Sequence, residues 1–136
     1  LSLIFMLGMK VTAIDIILNN DTILVCIISL VISGALSRLS MVIVAFLFEN
    51  ASKTGLGQFA GKPTLNSIVM PLVILTLISL LLLPTTKLII IIILCVLTAI
   101  IIGKFSKQQI GGYTGDILGA TQVVSEVVIL IYLAIY

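Results

Sequence analysis

Histidine and tryptophan are absent from this chain of 136 residues, and charge is scarce: charged residues make up 9%. A typical soluble domain carries roughly 25%. With 61% hydrophobic residues, so few charges cannot cover a water-facing surface, and a bilayer is the natural solvent for the excess. Without histidine, the commonest general base and the commonest metal ligand are missing. Acid–base or metal chemistry therefore falls to five carboxylates: Asp15, Asp21, Glu49, Asp116 and Glu126. A net charge of +2 is too small to suggest nucleic acid as a partner, and no basic run supports it. Cys26 and Cys95 lie in apolar runs, with no disulfide framework and no redox motif. Both are expected as small core or lipid-facing residues. The basic flank and cleavage site of a signal peptide are also missing. An apolar run starts at Leu1, not at a methionine, which gives the expectation that the chain begins inside a longer protein.

What is present is a series of long apolar runs. A spanning helix needs roughly 17–25 such residues. Residues 1–18, 22–48, 67–83, 88–103 and 117–136 are the candidates, the fourth slightly short of it. The runs are continuously apolar, not alternating, which argues for helices and against an outer-membrane barrel. The expected fold is all-α: one polytopic membrane bundle of about five transmembrane helices filling residues 1–136. Lys53 and Lys62 in the second connection, and Lys104 and Lys107 in the fourth, fall on the same side. The positive-inside rule makes that side cytoplasmic. The third and fourth spans carry no polar stripe and read as scaffold.

Charges inside spans cost roughly 2.5–3.5 kcal/mol each and tend to face cavities or one another. Lys10, Arg38, Asp116 and Glu126 are therefore expected to turn inward. Gly34, Ser37 and Arg38 are read as one helical face, with the guanidinium as a phosphate ligand or as the partner of a carboxylate. Gly111, Gly112, Thr114 and Gly115 form a glycine-rich approach to a helix whose first turn holds Asp116. Such a loop presents bare N–H groups to phosphate, aided by the helix dipole. Thr114 as a cap and Asp116 as a dipole partner are the simpler reading. Asp116, Gly119, Gln122 and Glu126 share about 120° of arc, with the two carboxylates about 15 Å apart along the axis. They cannot share one metal ion. Asp116 is the better metal ligand, and Glu126 is better read as an ion pair with Lys10 or Arg38 than as a substrate contact. The glycine–lysine loop that includes Lys53 and Lys62 suits a phosphate-contacting lid as well as an ordinary loop.

The run GGYTGDILGATQVVSE, residues 111–126, closely resembles the C-terminal signature of the cobalamin synthase family, the adenosylcobinamide-GDP ribazoletransferases. Lys10, Ser37-Arg38 and Gly61-Lys62 follow the same order of landmarks. The resemblance implies a late step of cobalamin assembly in a prokaryotic cell membrane. There α-ribazole or its 5′-phosphate is joined to adenosylcobinamide-GDP, and GMP is released. It implies magnesium as cofactor with Asp116 as its ligand, and Gly111, Gly112, Thr114 and Gly115 beside the pyrophosphate. Arg38, Lys53 and Lys62 would neutralise phosphates, and Glu126 would stand near substrate. The partners are the bilayer and these substrates, and a homo-oligomer stays open. The family's aspartate-rich segment, D-G-x-A-D-x-x-D-G, has no match here. The chain alone is accordingly expected to be inactive and to be the C-terminal part of the enzyme. A transporter or channel fragment would account for the intramembrane charges equally well. A purely structural subunit would not account for the glycine-rich loop.

Overall fold

The computed structural model describes residues 2–51 and 65–136. Among the described residues five helices follow one another: α1 (Ser2–Asn20), α2 (Ile23–Leu47), α3 (Leu65–Leu82), α4 (Thr85–Ile110) and α5 (Gly115–Ile135). There is no strand among the described residues, only an isolated parallel bridge between Asn50 and Tyr113. By length and composition, α2, α4 and α5 are each apolar enough to cross a membrane. α1 carries Lys10 and Asp15 within its 19 residues. The exposed surface is rich in large apolar side chains, such as Ile4, Phe5, Val31, Leu81 and Ile101. A bilayer would cover these, while the helices satisfy their own backbone groups.

α5 is the central helix, packed against α2, α1 and α4; α2 also meets α4 and α3. Lipid gives no hydrophobic drive between helices, so close packing through small residues must replace it. α2 buries Ser29, Ser33, Ser37 and Ser40 along one side. α4 buries Cys95, Ala99 and Gly103 at four-residue spacing, and α5 buries Thr121 and Ser125. The hydroxyls do not go unbonded. Ser33 and Ser37 donate to the carbonyls of Leu30 and Gly34 at 3.1 and 3.0 Å. Ser40 donates across to the Cys95 carbonyl at 3.2 Å, and Thr98 meets the Ser125 hydroxyl at 3.0 Å. Cys26 and Cys95 are both buried with free thiols, as core residues. At Gly103, a Cβ would overlap the Phe48 ring, so this glycine makes room for the end of α2.

Two boundaries differ from the expectation. α4 continues to Ile110 instead of stopping at Gly103, so Lys104 and Lys107 stand on its last turns and not in a loop. Lysine and glutamine are good helix formers, and no breaker intervenes before Gly111. The turn before α4 is Leu83-Pro84, with Thr85 and Thr86 already helical. At that end of the bundle, Lys87 donates to the Tyr136 carbonyl at 2.6 Å and ties α4 to α5.

Candidate functional site

At the other end, α2 finishes beside the turn between α4 and α5. Gly111 is the C-cap of α4 with φ +80, a left-handed conformation suited to glycine. Its N–H bonds to the Lys107 carbonyl at 3.0 Å. Gly112 and Tyr113 are then held against the chain leaving α2. Tyr113 N–H donates to the Glu49 carbonyl at 2.9 Å, and Ala51 N–H donates to the Tyr113 carbonyl at 2.9 Å. Ser106 donates to the Gly112 carbonyl. The Tyr113 ring packs in a small cluster with Val44 and Ala99. These bonds bring Glu49 and Ala51, just after α2, beside the turn between α4 and α5 at one end of the bundle. Lys53 and Lys62 lie outside the described residues.

The glycines of this turn have different roles. A Cβ on Gly112 would overlap the Glu49 carbonyl and come within 3.0 Å of Ala51 N. Gly112 is therefore a packing glycine, with its bare side filled by backbone. Gly115 and Gly119 have nothing within 4 Å of a built Cβ, so their bare sides are open. Gly112→Ala should lower stability by about 1–3 kcal/mol, because backbone cannot retreat as a side chain can. Gly115→Ala should stay within about 0.5 kcal/mol. Thermal unfolding in detergent compares the two, and equal midpoints would contradict this division.

Thr114 occupies the N-cap position of α5, but its side chain makes no capping hydrogen bond. The first N–H groups of a helix have no intrahelical acceptor. Those of α5 therefore open next to Gly115 and to Asp116, which lies in the first turn. Asp116 is exposed, as is Glu49 on the neighbouring strand of chain. No cage of three or more Asp, Glu or Cys occurs among the described residues. A single open carboxylate does not suit a closed structural metal site. It does suit a hard cation that keeps waters and takes its remaining ligands from phosphates.

The intramembrane charges resolve differently. Glu126 pairs with Lys10 at 2.7 Å, the ion-pair reading of this carboxylate, with side chains 17% and 23% exposed. Arg38 does not join them. Ser37 is buried in the serine side of α2, and Arg38, about 100° further round, is exposed. The expected Gly34–Ser37–Arg38 face is thus split, and Arg38 and Asp116 do not turn into the bundle. Sequence reasoning missed Tyr113, Ser106 and the Glu49 carbonyl, which hold the turn in place. An aromatic residue amid glycines was the available signal.

The chain matches the family described as cobalamin-5-phosphate synthase over residues 1–134. It is 33% identical over 90 residues to an adenosylcobinamide-GDP ribazoletransferase of Bradyrhizobium diazoefficiens, covering 66% of this chain and 35% of the relative. It is 61% identical over 31 residues to a protein of the same name from Shewanella frigidimarina, covering 23% and 12%. The match to the first relative thus spans about a third of that protein's length. No solved structure matches.

Proposed function

The chain belongs to the cobalamin-5-phosphate synthase family, and on that footing we propose that it supplies the pyrophosphate-binding end of a membrane-embedded adenosylcobinamide-GDP ribazoletransferase. The substrates are adenosylcobinamide-GDP and α-ribazole or its 5′-phosphate, met at the cytoplasmic face of a prokaryotic cell membrane. A ribazole hydroxyl oxygen forms a new bond to the phosphorus that carries cobinamide. The bond from that phosphorus to GMP breaks, GMP leaves, and the hydroxyl proton is released. Such transfers depend on positioning and charge neutralisation, with little covalent chemistry asked of the protein.

The observation that supports this reading is the division of labour in the turn. Gly112 and Tyr113 are fixed to the Glu49–Ala51 backbone, while Gly115 and Asp116 stay open at the start of α5. A fixed turn holds the open N–H groups ready for an anion without further ordering. Gly111, Thr114 and Gly115 border the pyrophosphate, with Gly112 beneath as support. Asp116 would hold magnesium together with the substrate's own phosphates, and the ion would neutralise charge developing on the departing GMP. Lys53 and Lys62 would add positive charge to neutralise the phosphates. Arg38, on the outer side of α2, is left out of this assignment, and Glu126 is a structural partner of Lys10.

The test sets transfer against transport. A synthase of full family length carrying this sequence is placed in liposomes, and GMP release, cobalamin product and solute flux are followed together. GMP and product should appear in equal amounts only when both substrates are present. Flux of cobinamide compounds without GMP release would replace this reading with a transporter.

A further inference from the structure

Where α4 leaves the apolar layer, its outer side forms an open groove of about 460 Å³. Ile101, Ile102 and Phe105 line it, with Lys104 and Gln108 at its polar end. These five positions share one side of the helix. Gly103 and Ser106, on the other side, are buried against the bundle. The groove therefore opens away from the described helices, and Ile101 and Phe105 are 65% and 61% exposed.

Two lysines bracket the apolar stretch of α4, Lys87 near its start and Lys104 near its end. They are about 26 Å apart along the axis at ~1.5 Å per residue. That is close to the ~30 Å hydrocarbon thickness of a bilayer. The Lys104 ammonium thus lies where hydrocarbon gives way to headgroups, and Lys107, outside the groove's lining, stands about one turn beyond and about 60° round the helix, within reach of the same phosphate. Among the described residues, neither lysine joins the ion pair, which is Lys10–Glu126. We propose that this groove binds one anionic phospholipid, with an acyl chain along Ile101, Ile102 and Phe105 and its phosphate held by Lys104 and Lys107. The Gln108 amide is placed to donate a further hydrogen bond.

One effect opposes the assignment. The C-terminal end of a helix carries about half a negative charge, which repels an anion in the last turn. Two full positive charges outweigh it. The Gly111 N–H also occupies the Lys107 carbonyl at 3.0 Å, removing one exposed acceptor. A zwitterionic lipid would fill the apolar wall but turn its own cation toward the two lysines. A soluble phosphate would leave the apolar wall uncovered. An anionic lipid satisfies both ends, and the assignment does not depend on the reaction catalysed.

The test uses the purified chain equilibrated with equimolar phosphatidylglycerol and phosphatidylcholine, with retained lipid counted by native mass spectrometry. One phosphatidylglycerol should be retained, favoured about 25-fold, from about fivefold for each lysine near the surface. Lys104→Gln with Lys107→Gln should bring the two lipids to near parity. Ile101→Trp fills the groove with all charges unchanged and should release the lipid; Ile101→Phe serves if the tryptophan variant fails to fold. Equal retention of both lipids by the unaltered chain would overturn the proposal. So would a preference that survives the double glutamine change. A preference that survives filling of the groove would mean diffuse attraction to headgroups, and no site.

Discussion

Asp116→Asn, in a synthase of full family length carrying this sequence, should lower the rate of GMP release by about two to three orders of magnitude, the scale of losing one preorganised electrostatic contact. Folding should be almost unaffected. Asn and Asp cap and start helices about equally well, and the Asp116 side chain is exposed. The substitution keeps shape and removes charge. What remains is a carbonyl oxygen, a weaker ligand for a small, hard cation that needs near-ideal octahedral geometry. Raised magnesium should therefore recover part of the lost rate. The alternative role for Asp116 is to complement the dipole of α5, worth about 0.3–1 kcal/mol at an exposed site. Thermal midpoints and GMP release across a magnesium titration separate the two. Wild-type rates at limiting magnesium would return Asp116 to the dipole role.

Glu126→Gln should lower stability by about 3 kcal/mol. That is the low end of the cost of leaving one member of a buried pair unmatched. The low end applies because the Glu126 and Lys10 side chains keep 17% and 23% of their surface. The cost comes from Lys10, which loses its partner inside an apolar helix. Removing both charges together, as Lys10→Met with Glu126→Leu, should bring stability back to within about 1 kcal/mol of the starting chain. Exchanging them, Lys10→Glu with Glu126→Lys, should recover most of it. Detergent-to-SDS unfolding titrations measure all four proteins. Two double variants no more stable than Glu126→Gln would show that the contact at 2.7 Å contributes no coupling.

The five described helices were legible because each apolar run is long and none alternates. The limits of α4 were not. Lys104 ends the hydropathic run, but a helix ends where its backbone is stopped, and that is Gly111 in its left-handed conformation. The partner of Glu126 was within reach of the sequence because few intramembrane charges exist to choose from. The orientation of Arg38 was not. α2 can turn either its serines or its guanidinium toward its neighbours, and close packing favours the serines. The role of Gly112 lay beyond local reading altogether. It depends on Glu49, far away in the chain, presenting its carbonyl to the same turn. Gly112 and Gly115 look alike in sequence and differ only in what stands beside them.

On the proposed function, the open part of the turn, Gly115 with Asp116, holds the pyrophosphate of adenosylcobinamide-GDP. Gly115→Cys tests it directly. A side chain there meets nothing within 4 Å, and the native thiols at Cys26 and Cys95 are buried, so the new thiol should dominate labelling. In membrane vesicles that expose the cytoplasmic face, a charged thiol reagent should modify it quickly. Saturating adenosylcobinamide-GDP with magnesium should slow that modification at least about tenfold, and omitting magnesium should weaken the protection. A labelling rate unchanged by saturating substrate and magnesium would contradict the account.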